Sequence, residues 1–163
     1  MDSRELSRAI SLFGIDVYRI AYSQMGSRHA AEDVYQEVFI RLWRSDVAFE
    51  NDDHVRFWLC RVALNQCRDV KRSWKRHPEI ALGSFDAVKA SDDIEHFDCG
   101  NEQEILSIVD ALPEAMREVV HLHYVEGYST NDVAKICGCS PAAVRTRLFR
   151  ARRKIKKALE EGI

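Results

Sequence analysis

Between Ser129 and Leu159 the chain spells two capped helices separated by a glycine turn, and few folds accommodate that arrangement. Ser129 can accept hydrogen bonds from the open first turn of a helix, and Asp132 three residues on comes close to a capping box. Apolar spacing predicts a helix over Thr130–Cys137. Gly138 follows, and glycine takes the left-handed conformation that ends a helix without steric cost. Ser140-Pro141 then opens a second helix, with proline where a missing N–H removes no bond. The small Ala134, the turn residue Gly138 and the apolar Val144 fall where a helix-turn-helix needs close packing, a tight turn and a core contact.

The second helix has two faces. At about 100° per residue, Val144, Leu148, Ala151 and Ile155 fall within about 60° of one another, a stripe suited to docking. Opposite lie Ala142, Thr146 and Arg153, with Arg150 to one side, while Arg145 and Arg147 flank the stripe. Small residues at the N-terminal end (Ser140, Ala142, Ala143, Thr146) permit close approach to a DNA major groove, and arginines reach bases or phosphates. A solvated basic helix would share the periodicity. It would not explain eight Lys/Arg and no acid from Pro141 to Leu159.

That bias belongs to a larger pattern. The 163 residues carry a net charge of only −2, yet His54–Arg76 holds seven Lys/Arg against one acid. Pro78–Glu104 holds eight Asp/Glu against one Lys. Two basic blocks flanking an acidic one point to a polyanionic partner. No apolar run approaches the ~20 residues that span a bilayer, and the charged start at Met1–Arg8 lacks a signal-peptide core, so membrane insertion and secretion are not expected. Five cysteines, an odd number without zinc-knuckle spacing, fit reduced thiols in a cytoplasmic protein.

The first block reads as helical. Leu12, Ile15, Arg19 and Tyr22 give a 3.6-residue stripe, with Phe13, Val17 and Ile20 interleaved, up to Gly26. Val34, Val38 and Leu42 repeat it within Ala30–Trp43, with Phe39 and Trp43 beside them. Ser45–Asp53 is a polar loop, and His54–Trp74 is helical again, with Val55, Trp58, Leu59, Val62 and Val70 recurring. The acidic 78–101 segment reads as a linker with little fixed structure. Beyond it, Glu102–Ala111 and Glu114–Tyr124 are two helices around Leu112-Pro113, with Gly127 as a stop. The fold expected is all-α: a helical domain over 1–77, a flexible acidic linker over 78–101, and a helix-turn-helix domain over 102–163.

In the basic helix, Phe57, Trp58 and Trp74 interleave with Arg56, Arg61, Arg68, Lys71, Arg72, Lys75 and Arg76. Aromatics beside cations suit single-stranded nucleic acid. Trp58 fits the core better, whereas Phe57 and Trp74 stay open. Asp69, alone among the cations, is expected to pair with Arg68, Arg72 or a neighbouring helix. Cys137 and Cys139 sit in a turn, Cys60 and Cys67 fill space on one helix face, and His121 and His123 point to different sides. His96 and Cys99 would need distant partners to hold zinc. No phosphate loop, GxSxG or HExxH appears, so no enzyme, metal site or cofactor is expected.

Three stretches in order resemble the extracytoplasmic-function (ECF) sigma factors, group IV of the bacterial RNA polymerase sigma factors. Ala31-Glu-Asp-Val-Tyr-Gln-Glu-Val-Phe-Ile-Arg-Leu-Trp43 resembles the polymerase-binding helix, and Phe57 to Asn65 with Arg68, Asp69 and Arg72 the promoter-melting helix. Leu112-Pro-Glu, Tyr124–Gly127 and the helix-turn-helix ending at Arg152 complete the likeness. The resemblance implies that Asp33, Gln36, Glu37 and Phe39 meet core RNA polymerase. It implies that Asn65, Arg68, Arg72 and Lys75, with the Ser45–Asp53 loop, handle single-stranded bases of the minus-ten element. Ser140, Ala142, Ala143, Arg145, Thr146, Arg147, Arg150 and Arg153 would then read the minus-thirty-five duplex. It implies an anti-sigma factor as a further partner. The acidic linker would mimic nucleic acid in a basic channel or simply stay solvated. His121 and His123 depart from the family's usual residues, and no regulatory domain is expected after Leu159. The rival reading is a helix-turn-helix regulator that binds duplex DNA without polymerase.

Overall fold

A computed structural model describes residues 1–79 and 102–162. The described residues form two compact helical units, one on each side of the acidic segment, and contain no strand. The linker expectation, together with His96 and Cys99, lies outside the described residues apart from Pro78 and Glu79.

In the first unit, α1 (Ser3–Met25), α2 (Arg28–Arg44) and α3 (Asp52–Arg76) pack pairwise. Each begins at a side-chain cap. Asp2 accepts from the Arg4 and Glu5 amides at 2.8 Å while the Glu5 carboxylate accepts from the Asp2 amide at 2.9 Å, a complete capping box. Ser27 caps α2, and Asn51 accepts from the His54 amide at 2.9 Å to start α3. Gly26, at φ 65°, makes the sharp turn from α1 into α2. The loop ends at Asn51, so α3 starts two residues earlier than the periodicity suggests. The acids Asp52 and Asp53 belong in its first turn, where the helix dipole favours negative charge.

The core is built from Val17, Ile20 and Ala21 of α1, Val34, Val38 and Leu42 of α2, and Leu59, Cys60, Ala63, Leu64 and Cys67 of α3. This corrects the reading of α1. Leu12 and Ile15, the head of the expected stripe, are 50% and 66% exposed, and the interleaved Val17 and Ile20 turn inward instead. Both sides of α1 carry apolar residues, and contact with two helices, not periodicity, selects the buried one. Two ion pairs also join α1 to α3: Arg8 to Asp52 at 2.6 Å and Asp16 to Arg56 at 2.8 Å.

The second unit contains α4 (Glu102–Asp110), α5 (Glu114–Val120), α6 (Thr130–Cys137) and α7 (Pro141–Glu160). Val119, Leu122, Val133, Ile136, Val144, Leu148 and Ala151 form its core. The helix expected over Glu114–Tyr124 changes hand-hold midway: α5 ends at Val120 and His121–Val125 is a π-helical turn. There the Glu126 amide donates to the His121 carbonyl, five residues back, at 3.0 Å. Side chains fasten the turn. His121 Nε2 lies 3.0 Å from Glu126 Oε1 in a buried pair. His123 Nδ1 donates to the Tyr128 carbonyl at 2.7 Å, so the two histidines do face different partners. Gly127, at φ 78°, follows.

Leu59→Ala is expected to destabilise the first unit by about 3 kcal/mol in urea denaturation, because Leu59 is fully buried. The hydrogen bond from Arg8 holds the Asp52 carboxyl below the ordinary aspartate value. The bond's contribution is therefore present at neutral pH and lost as pH falls through that depressed value. A carbon-detected titration should find the Asp52 midpoint low in the native protein and raised in Arg8→Ala.

Candidate nucleic-acid interface

The α6–turn–α7 segment forms as its sequence predicts. Ser129 caps α6 through the Asp132 amide at 3.2 Å, and Ser140 caps α7 through the Ala143 amide at 3.1 Å. Gly138 sits at φ 71°, and the Cys139 amide bonds back to the Ala134 carbonyl at 3.0 Å. Ala134 is buried, as close packing of the two helices requires.

Val144, Leu148 and Ala151 point into the core and Ile155 is half-buried, so the rotation of α7 is fixed. The opposite face then presents Ala142, Thr146 and Arg153, with Arg150 to one side, Arg145 on the flank and Ser140 at the cap, all exposed, and Ala143 half-buried. The arginines are not equivalent. Arg147 is half-buried and reaches Cys139 Sγ at 3.4 Å, which draws it toward the turn. Arg153 lies over the Phe149 ring at 5.8 Å, a cation–π contact. Arg152 donates to the Tyr124 hydroxyl at 2.8 Å. The first turn of α7 contains no acid, so no carboxylate there offsets the positive end of the helix dipole.

In the first unit, Asn65, Arg72 and Lys75 are exposed on α3, and Arg68 is half-buried. Spacings of seven and three residues put the three exposed ones on a common side of the helix. Asp69 pairs with Arg72 at 3.4 Å, one of the partners expected for it. Phe57, Trp58 and Trp74 are all half-buried. Trp58 meets Phe49 of the preceding loop edge to face, with centroids 5.7 Å apart, and Phe49 meets His54 at 5.3 Å. Phe49 is a residue that sequence reasoning missed, since a single aromatic in a polar loop carries no periodic signal.

On α2, Asp33 and Gln36 are exposed, and Glu37 is half-buried and bonded to Arg41 at 2.9 Å. Phe39 does not join them. It is only 6% exposed and packs on Tyr35 with centroids 4.9 Å apart, because it lies on the side of α2 that faces the core. Cys60, Cys67 and Cys137 are buried, which leaves Cys139 as the partly accessible thiol among the described residues.

Comparison with known proteins places the same two segments in defined families. Residues 10–77 match the family described as Sigma-70 region 2, and residues 102–155 match Sigma-70, region 4. The chain is 30% identical over 151 residues to the ECF RNA polymerase sigma-E factor of Haemophilus influenzae, covering 82% of this chain and 77% of that protein. It is 32% identical over 136 residues to RfaY of Xanthomonas campestris pv. campestris, named as an RNA polymerase sigma factor. That match covers 80% of this chain but only about a third (34%) of the Xanthomonas protein's own length. Among solved structures, the fold is similar to that of the sigma factor RpoE of Bartonella quintana, in complex with the anti-sigma factor NepR. The TM-score is 0.80 at 23% identity, over 96% of this chain and 98% of that one. No helix among the described residues is long and apolar enough to cross a membrane.

Arg150→Ala is expected to weaken duplex DNA binding and to lower the slope of log affinity against log salt by about 1 if it meets a phosphate. A salt titration of the binding isotherm checks this. Ser140→Ala is expected to cost the second unit about 1 kcal/mol in thermal unfolding through loss of its cap.

Proposed function

The chain belongs to the sigma-70 family, as an RNA polymerase sigma factor of the extracytoplasmic-function type serving promoter-specific transcription, and from that premise we propose how its two units divide the work. The unit over 1–77 binds core polymerase and takes the minus-ten element. The unit over 102–163 reads the minus-thirty-five element as duplex. The protein acts as a regulatory subunit in the cytoplasm and leaves the chemistry of RNA synthesis to the polymerase.

The observation that carries this reading is the two-sided α7. Its apolar stripe is buried, and its exposed face begins with small residues and continues into guanidiniums. Such a face suits major-groove entry, with Ala142, Ala143 and Thr146 allowing approach and Arg145, Arg147, Arg150 and Arg153 contacting bases or phosphates. In the first unit, Asn65, Arg68, Arg72 and Lys75 follow the separated strand from α3, and the 45–51 loop meets its bases. Melting costs stacking energy, which is offset as bases find protein surfaces and cations neutralise the strand. Duplex reading by the second unit fixes the register at which melting occurs.

The polymerase-binding surface is the exposed side of α2, with Asp33 and Gln36 in contact and Glu37 at its border. Phe39 supports that surface from beneath. An anti-sigma factor is a further partner, in keeping with the Bartonella sigma factor solved with NepR.

Run-off transcription with purified core polymerase on a promoter library tests the whole reading. Initiation that depends on this chain supports it, and sequence-specific footprints without polymerase would favour the duplex-binding regulator instead. Asp33→Ala combined with Gln36→Ala is expected to reduce holoenzyme formation at least tenfold on a sizing column while the melting temperature stays put. Phe39→Ala should act in the opposite sense, with a stability loss of about 3 kcal/mol as its first effect.

A further inference from the structure

The loop between α2 and α3 is short, polar and held in place by side chains. Ser45 Oγ accepts from the Val47 amide at 3.1 Å, and the Glu50 amide lies 3.4 Å from His54 Nδ1. Phe49 packs edge to face on His54 and Trp58. Asn51, the last loop residue, is the cap of α3. Its neighbour Asp52, the first residue of that helix, receives both prongs of the Arg8 guanidinium, Nη1 to Oδ1 and Nη2 to Oδ2, each at 2.6 Å. Arg8 comes from α1, 44 residues earlier. Above this bond, Glu5, Arg8 and Phe13 of α1 face Val47, Phe49 and Asn51 of the loop across a cavity of about 340 Å³. The loop therefore spans open space next to α1, and a two-pronged bond pins its far end.

We propose that Arg8 is a positioning residue for promoter opening: its grip on Asp52 sets where the Ser45–Asn51 loop, and Phe49 within it, meets the separated strand. This rests on the reading that the loop handles the minus-ten element. The pair is exposed, at 64% and 47% of its side chains, so it adds little to the stability of the fold. A fork-to-fork guanidinium–carboxylate bond nevertheless fixes both distance and direction. The task of holding α1 to α3 falls to the apolar core and to the less exposed Asp16–Arg56 pair, one helical turn further along α3. Loss of Arg8 leaves the Asn51 cap and the favourable placement of Asp52 at a helix N-terminus intact. The helix stays, and the loop loses its anchor to α1.

The test uses reconstituted holoenzyme on a promoter taken from the run-off library, with permanganate reactivity of unpaired minus-ten thymines as the readout of opening. Arg8→Ala and Asp52→Ala are each expected to lower opening about tenfold, and the double variant no further than either single one, as for two residues acting through one contact. Holoenzyme assembly should be unchanged and the melting temperature should move by less than about 2 °C. Arg8→Lys, which keeps the charge and loses the fork, should fall between. Asp16→Asn, which weakens the other α1–α3 pair, should open the promoter normally. Additive losses in the double variant would overturn the proposal, since Arg8 would then act on DNA directly. A variant carrying Val47→Gly, Ala48→Gly and Glu50→Gly separates the two levels. If it fails to open while Arg8→Ala opens normally, the inference is wrong and the loop's role stands. If both open normally, the minus-ten role of the loop falls and the inference goes with it.

Discussion

Burial of Val144, Leu148 and Ala151 is the constraint on which the proposed nucleic-acid face depends. A helix that carries eight Lys/Arg between Pro141 and Leu159 has no electrostatic reason to prefer one rotation about its axis. The apolar stripe supplies that preference. At ~25 cal/mol per Å² of apolar surface, turning a Val and a Leu out to water would cost several kcal/mol, enough to hold the cations on one side. Gly138 and the Ser140 cap then set where α6 ends and α7 begins.

The first unit applies the same logic across three helices. Its core, running from Val17 to Cys67, decides which side of each helix is left for partners. On α2 that leaves Asp33 and Gln36 outside and Phe39 within. On α3 it leaves Asn65, Arg72 and Lys75 outside, while the aromatic residues are half-buried. The aromatics thus serve as walls and supports of the fold. Trp58 engaged by Phe49 is the clearest instance, because the contact ties the loop to the helix that follows it.

Legibility in the sequence followed the range of the interaction. The helix-turn-helix was readable almost residue by residue, since caps, a left-handed glycine and a first-turn proline act over three or four positions. The division into helices was also readable, and α3 was missed only by its two opening acids. The buried side of α1 was not, because Leu12 and Ile15 compete with Val17 and Ile20 for the same period. Phe39 lies on the core side of α2, and membership of a motif does not specify which of its residues face out. Arg8 and Asp52 lie 44 positions apart in ordinary charged surroundings, and nothing local announces their bond. The π-helical turn was equally silent, as its histidines find partners only once the turn exists.

That turn places a limit on how the chain can vary in length. A π-helical turn accommodates one residue more than an α-helix of the same rise. Removing a single position between Val120 and Glu126 would let the backbone relax into regular α-helix while the residues beyond it keep their places, because the π-turn is what absorbs the additional residue. In regular α-helix the same deletion would swing everything beyond it by roughly 100° and turn α6 away from α5. The connection between the two halves of this unit can therefore give up one residue at this turn and nowhere else along α5.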